Sequence, residues 1–437
     1  MKISKLLALM IGMLAPVQVI AENNIESSLA HDPGLRGGSA GAGNALLGLD
    51  STQQEFFASG KQNFQTAELV ANGLGPRFNL DSCGGCHAYP APGGSSPAAN
   101  PQIAVAAAYG AKNTIPSFLS INGPVRVVRF ITTPEGAPDG DVHGLFVISG
   151  RNDGADASGC TAAQENFDAQ AANHNVSFRI PTPLFGLGLI EQISDNALEA
   201  NLAGNLAQKQ SLGIQGHLNK IGGNGDIGRY GWKAQHASMV LFSSEAYNAE
   251  MGLTNQEYPL ERDNNPACRF ASSPRKANLY AGDYSGFMTL SEKNAYFMRY
   301  LAPPAPSSSM PGGNAAIARG GKQFSMVGCD NCHTPAIGGV SLFSDLALHK
   351  MGPGLADGVQ QGLASADEFR TAPLWGLGQR IFFLHDGRTS DLLQAIREHS
   401  SDGDGVYQLS EAIQVVKNFS RLSENDKQDL LDFLRSL

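Results

Sequence analysis

Apolar and polar positions follow three different rhythms along this chain. Near its start, Lys2 and Lys5 precede an apolar run from Leu6 to Ile20, and Val19-Ile20-Ala21 leads to a cut expected ahead of Glu22. Basic residues, a short apolar run and small residues before a cut make the pattern of a secretory signal peptide, too short and wrongly flanked for a membrane span. Runs rich in β-branched and aromatic residues mark Val125-Arg-Val-Val-Arg-Phe-Ile131 and Gly144-Leu-Phe-Val-Ile-Ser149 as strands among Gly/Asp-rich loops. A helical rhythm closes the sequence. Ser423-Glu-Asn-Asp426 offers an N-cap, and Leu430, Leu431, Phe433 and Leu434 follow as the apolar face. Elsewhere the pattern predicts helices joined by long irregular connections, and no later segment is apolar for long enough to cross a bilayer.

The chain also repeats itself. Arg179-Ile-Pro-Thr-Pro-Leu-Phe-Gly-Leu-Gly188 is similar to Arg370-Thr-Ala-Pro-Leu-Trp-Gly-Leu-Gly378. A Pro/Ser-rich stretch, Pro303–Pro311, reads as a linker between a larger first part and a smaller second one. The expected organisation is therefore a signal peptide over 1–21, a first domain over 22–302, a linker over 303–311 and a second domain over 312–437. A length of 437 residues suits two or three domains.

Charge narrows the partners. The whole sequence carries 31 Lys and Arg against 40 Asp and Glu, a net charge of −9, and loss of Lys2 and Lys5 with the leader makes it −11. An acidic surface argues against nucleic acid and for a basic or small redox partner.

The chemistry lies in the cysteines. Cys83-Gly-Gly-Cys86-His87 and Cys329-Asp-Asn-Cys332-His333 both have the Cys-x-x-Cys-His spacing of a c-type haem attachment site. On a helical turn, positions i, i+3 and i+4 share a face, so two thiols and an imidazole meet a porphyrin together. The sequence thus predicts two covalently bound haem c groups, with His87 and His333 as the proximal ligands. Each motif precedes one of the two repeated segments. His87 to Pro183 spans 96 residues and His333 to Pro373 only 40, so the first half carries an insertion that includes both predicted strands. Four of the six cysteines are used in this way, leaving Cys160 and Cys268. In an oxidising compartment these pair as a disulfide, the alternative being two buried free thiols.

Taken together, these segments resemble the bacterial di-haem cytochrome c peroxidase superfamily, and more closely its di-haem oxidoreductase branch, also labelled thiol oxidoreductases. The resemblance rests on Gly73-Leu-Gly-Pro-Arg-Phe-Asn79, Pro183-Leu-Phe-Gly-Leu-Gly-Leu-Ile-Glu191, Gly228-Arg-Tyr-Gly-Trp-Lys-Ala234 and Leu384-His-Asp-Gly-Arg388, and it covers most of residues 50–437. It implies a mainly α fold of two cytochrome-c-like haem domains, the first enlarged by an insertion with a few β-strands. The family places the distal ligand of the second haem fourteen residues after the His of a His-x-Gly segment; counting from His385 leads to His399. Met351 and His349 are its rivals. The family also carries a Trp between the haems and, about twenty residues on, a Glu on the distal side of the first haem. Trp232 and Glu250, in Glu250-Met-Gly252, fit these roles, with Glu191 as the second choice for the carboxylate.

Two departures stand out. No Gln lies in Val240-Leu-Phe-Ser-Ser244, where the family often has one, and no His lies between His87 and His143 to close the first iron. A spare reactive Cys pair is absent too, so the thiol oxidoreductase label finds no residues to support it. Asp402-Gly-Asp-Gly405 is similar to the start of a calcium loop but lacks a Glu at position twelve, and it reads as a polar turn.

The function expected from the resemblance is that of an exported, periplasmic oxidoreductase. Electrons from a small redox protein or cytochrome would enter at the C-terminal haem, and hydrogen peroxide would be reduced at the N-terminal haem, with Glu250 and Trp232 as catalytic residues. The alternatives are an electron-transfer cytochrome with both haems closed, and an oxidase of a protein or small organic partner.

Overall fold

The computed structural model describes residues 29–37, 40–108, 114–148, 163–263, 268 and 288–437. The expected signal peptide and Cys160 lie outside these residues. Cys268 is buried and disulfide-bonded, whereas Cys83, Cys86, Cys329 and Cys332 are free thiols.

The described chain is rich in helices with a few small antiparallel sheets. Two helix crossings organise it, and they are built alike. In the first, Asp50 and Gln53 form a capping box that starts the helix Ser51–Gln65, which buries Phe57, Gly60 and Phe64. It crosses the helix Leu290–Tyr300 at Gly60, where a Cβ would come within 2.3 Å of the Lys293 carbonyl oxygen. Phe64 meets Phe297 there at 4.8 Å between ring centroids. In the second, the helix Gly313–Val327 crosses Glu424–Ser436 at Gly320, where a Cβ would lie 1.9 Å from the Asp429 carbonyl oxygen, and Phe324 meets Phe433 at 5.4 Å. A glycine and, four residues later, a phenylalanine let two backbones touch and then fill the wedge beyond the contact. The Glu424–Ser436 helix starts as its sequence predicts, with Ser423 accepting the Asp426 N–H.

The repeated Pro-Leu-aromatic-Gly-Leu-Gly segments complete each crossing. Gly188 packs on the Arg299 carbonyl of the first closing helix, and Gly378 packs on the Arg435 carbonyl of the second. The repeats also meet each other, because Gly186 lies against the Trp375 ring.

The insertion forms a three-stranded sheet in which Val127–Phe130 pairs with both Val142–His143 and Val176–Arg179. The strand expected from Gly144 is shorter than predicted. The chain bends at Gly144, where a Cβ would meet Arg77 at 2.7 Å, so that Phe146–Val147 pairs instead with Arg77–Phe78. Phe78, Val128, Phe130, Phe146 and Phe167 form its core against Tyr247 and Met251 of the helix Met239–Met251.

Contacts cross between the two halves at several places. Pro303–Pro311 is docked rather than free, since the Ala305 N–H donates to the Ala40 carbonyl and the Ser307 N–H to the Ser436 carbonyl. Residues 29–37 run along the C-terminal half as a strap. Arg36 N–H donates to the Gly378 carbonyl, and Asp32 accepts from Arg435 at 2.5 and 2.7 Å and from the Leu392 N–H at 2.7 Å. Arg435 is almost wholly buried, so this carboxylate is what neutralises it.

Burial pushes the Asp32 carboxyl up, but the Arg435 guanidinium and the Leu392 and Gly34 N–H groups outweigh it and hold the group below the usual carboxylate range. A carboxylate lowered on folding adds stability above its unfolded pKa and loses it as pH falls through the lower, folded value. Asp32→Ala is expected to lower the unfolding free energy by about 3 kcal/mol near neutral pH, the cost of stranding a buried charge. The gap from the wild type should narrow in acid, and denaturant melts at pH 7 and pH 3 measure both.

Candidate haem sites

The C-terminal motif follows directly on its helix. Gly328 turns the chain with φ of +102°, and the Cys329–Asn331 turn brings the His333 N–H onto the Cys329 carbonyl at 2.9 Å. Cys329, Cys332 and His333 therefore face one cavity of about 220 Å³, whose wall is largely apolar and includes Ile214, Phe383 and Leu384. His333 donates through Nδ1 to the Phe343 carbonyl at 3.0 Å, which leaves Nε2 as a neutral lone pair. Burial, reinforced by His399, pushes its pKa down to about 4.

His399 stands at the end of the helix Leu392–Glu398, in the wall of the same cavity. It too donates through Nδ1, to the Ala395 carbonyl at 2.7 Å, and burial lowers its pKa. Both imidazoles are thus in the tautomer in which a metal ligand is held, with the second nitrogen fixed by a carbonyl. His349 is arranged differently. Its Nε2 meets Asp345 at 2.9 Å and its Nδ1 meets Glu411 at 2.8 Å, so neither nitrogen is spare. Burial opposes a charge on this ring, but the Cys332 sulfur and Asp345 outweigh it and hold the pKa well above the ordinary value. Met351 lines the cavity and packs on Leu355 and Phe369.

At the N-terminal motif, a single helical turn over Cys83–Cys86 again places the His87 N–H on the Cys83 carbonyl, at 2.9 Å. His87 donates through Nδ1 to the Gly94 carbonyl at 3.0 Å, and Phe64 stands 6.0 Å from its ring. Burial holds its pKa down to about 4 against the Gly94 and Thr182 carbonyls. Asn294 reaches the Cys83 sulfur at 3.5 Å.

Glu250 comes to this site from the last turn of Met239–Met251. Asn79 donates to its Oε2 at 2.8 Å, and the Asn79 N–H donates to its carbonyl at 2.7 Å. Burial raises the carboxyl above its ordinary range, against the Asn79 hydrogen bond and the charge of Arg129. Burial, and then the charge of Glu250, push the Cys86 thiol well above its ordinary pKa. Glu191, the second choice, instead pairs with Arg299 at 2.6 and 2.9 Å in a half-exposed position.

Trp232 stands between the halves. It lines the C-terminal cavity and also a small one of about 20 Å³ beside it, which Thr182 and Pro183 share. Its indole N–H donates to the Ile180 carbonyl at 2.9 Å, and its own carbonyl accepts from the Arg370 N–H at 2.8 Å.

Several polar residues at these sites take parts that the sequence did not assign to them. Asn79 ties the N-terminal site together, since its Oδ1 accepts the Leu145 N–H at 2.9 Å and its carbonyl accepts from the wholly buried Gln102 at 3.4 Å. In the C-terminal half the Asp345–His349–Glu411 group packs against Cys332, with His349 Nδ1 at 3.8 Å from the sulfur. Asp402–Gly405 is the expected polar turn, in which Asp404 accepts the Val406 and Tyr407 N–H groups.

Each donor set suits an iron porphyrin. Two thiols and a neutral, carbonyl-oriented imidazole share one face, and in the C-terminal half an apolar space lies between that imidazole and a second one. Comparison with known proteins agrees. Residues 136–437 match the profile of the family described as "Di-haem oxidoreductase, putative peroxidase". None of the curated proteins matches the chain. Among solved structures, a hydrazine synthase chain of Kuenenia stuttgartiensis, studied under 20 bar of xenon, is similar at 21% identity and a TM-score of 0.26. The likeness covers 39% of this chain and 59% of that one, so this chain spans less than two thirds of the synthase chain. A MauG-like protein associated with microbial copper homeostasis is similar at 15% identity and a TM-score of 0.31, over 56% of this chain and 90% of that one.

Proposed function

As the chain belongs to the di-haem oxidoreductase family, we propose that it is an exported c-type enzyme with two unequal haem sites in two cytochrome-c-like domains. The contrast between the sites carries this reading. A second buried imidazole, His399, shares the cavity wall with His333 in one, whereas in the other half a buried carboxyl, Glu250, is held by Asn79. The alike helix crossings with Gly60 and Phe64, and with Gly320 and Phe324, support two related domains. Export is supported by the apolar leader and by disulfide-bonded Cys268, because structural disulfides persist in oxidising compartments.

In this reading Cys83 with Cys86, and Cys329 with Cys332, hold the two haems covalently. His87 and His333 would each ligate an iron, and His399 would join His333 at the C-terminal one. When bound, a haem would supply one-electron exchange and a place for peroxide to be reduced. At the N-terminal site no second imidazole is assigned; of the described histidines, His143, His217 and His236 are each bonded to carboxylates. Reduction of hydrogen peroxide to two waters consumes two electrons and two protons. The electrons come from a small redox protein or cytochrome, for which the acidic chain suits a basic partner.

Glu250 does the proton work. Its carboxylate would take the proton of a bound peroxide and return it to the departing oxygen, while Asn79 fixes its orientation. A carboxyl with a raised pKa gives up and regains a proton more readily near neutral pH than an exposed one. Trp232, clasped by Ile180 and Arg370, bridges the cavities and carries electrons between the sites.

Glu250→Gln is expected to lower peroxide turnover by about 10²-fold or more, with both haems retained. Steady-state assays with a reduced cytochrome check it, and unchanged turnover would exclude Glu250 as the proton carrier. His399→Met is expected to raise the midpoint potential of the C-terminal haem, because thioether ligation favours ferrous iron relative to a second imidazole. Spectroelectrochemical titration reads that change. A potential identical to wild type would remove His399 from the ligand set.

A further inference from the structure

A guanidinium in an apolar interior is costly unless an anion meets it, so buried arginines are normally paired. Three buried arginines here obey that rule: Arg435 is paired with Asp32, Arg179 with Asp357, and Arg229 with Asp195. Arg36, Arg129, Arg370 and Arg380 have no carboxylate partner among the described residues, although none is more than 9% exposed. Arg36 and Arg129 each donate to a backbone carbonyl away from both cavities, whereas Arg370 and Arg380 face one. Arg370 donates only to carbonyls, from Nε to Gly231 at 2.8 Å and from Nη1 to Thr371 at 3.3 Å. The Arg380 Nε is buried with no acceptor, and no described residue accepts from its guanidinium.

Their surroundings make this arrangement more expensive. Burial, and then the charge of Arg380, lower Arg370 to about 10; burial, and then Arg435, do the same to Arg380. Both line the C-terminal cavity and the small cavity beside Trp232. The carboxylate in the wall of the larger cavity, Glu411, is already occupied by His349 and by the N–H groups of Gln215, Gly216 and Lys350. Two cations without a carboxylate partner therefore border a space large enough for an organic anion, and the described residues supply no free anion there.

We propose that Arg370 and Arg380 form a clamp for the two propionates of the C-terminal haem, fixing its carboxylate edge at the wall shared with Trp232. This rests on the reading that a haem occupies that cavity. The two guanidiniums suit carboxylates because their planar donors meet both oxygens at once. The clamp would define which edge of the ring faces the other half of the protein. It would also place positive charge beside the porphyrin, favouring the ferrous state.

The test uses the holoprotein and its Arg370→Gln, Arg380→Gln, Arg370→Lys and Arg380→Lys variants, with Arg319→Gln, a surface pair of Asp429, as control. Resonance Raman spectra report the propionate bending modes, and spectroelectrochemical titration reports the midpoint potential. Each Gln variant is expected to shift the C-terminal propionate band and lower that haem's potential. Each Lys variant should restore most of the potential while leaving the band shifted, since a point charge replaces a fork. Arg319→Gln should move neither. If a Gln variant fails to fold, its Lys counterpart still reads the Raman band. Wild-type bands and potentials in the Arg370 and Arg380 variants would overturn the clamp. Pyridine haemochrome analysis of the wild type separates the two ideas, because fewer than two haems per chain would overturn the underlying reading as well.

Discussion

One buried carboxylate holds the two halves of this protein in register. Asp357 accepts from Arg179 at 2.6 Å and pairs with Lys233 at 3.1 Å, and all three side chains are nearly sealed from solvent. Both cations come from the first half, whereas Asp357 belongs to the second. Lys233 adds hydrogen bonds to the Ser365, Ala366 and Glu368 carbonyls. Burial pushes its pKa down to about 8, so desolvation outweighs the pull of Asp357. Such a cluster contributes little net stability but penalises every other register, since a shifted pairing would strand a charge. Trp232 is the residue next to Lys233, so the cluster helps to fix its position together with its packing on Met351, Leu355 and Phe369.

The doubling of the fold explains how the sites came to differ. Gly60 with Phe64 and Gly320 with Phe324 make the same contact against Phe297 and Phe433, and each closing helix receives a Leu-Gly turn at Arg299 or Arg435. What each half adds to that common frame is its own. The first adds a sheet packed on the helix that carries Glu250, whose carboxylate Asn79 holds, and the second adds a helix ending in His399. The family membership follows from most of the chain, but the contrast between the two sites follows from these additions.

Local chemistry was legible in the sequence and long-range pairing was not. The two Cys-x-x-Cys-His segments, the strand at Val127–Phe130 and the Ser423-capped helix depend on spacings of a few residues. The structure forms each where the pattern predicts. Counting from His385 leads to His399, which the structure places in the cavity wall, but nothing in Leu348-His-Lys-Met-Gly352 reveals that His349 has both nitrogens engaged. Its partners sit at Asp345 and, 62 residues on, at Glu411. The docking of Pro303–Pro311 was equally hidden, because composition describes flexibility and not the partners waiting for a segment. The same holds for Arg370 and Arg380, where the informative fact is a missing partner.

The strap at residues 29–37 has a consequence for the order in which contacts can form. Asp32 and Arg435 are separated by 403 positions, so their pairing closes a loop that spans nearly every described residue. Contacts of such separation are rewarded only after the intervening elements have brought their ends together. Closure of the strap is in effect a late check on both helix crossings, made by a single ion pair.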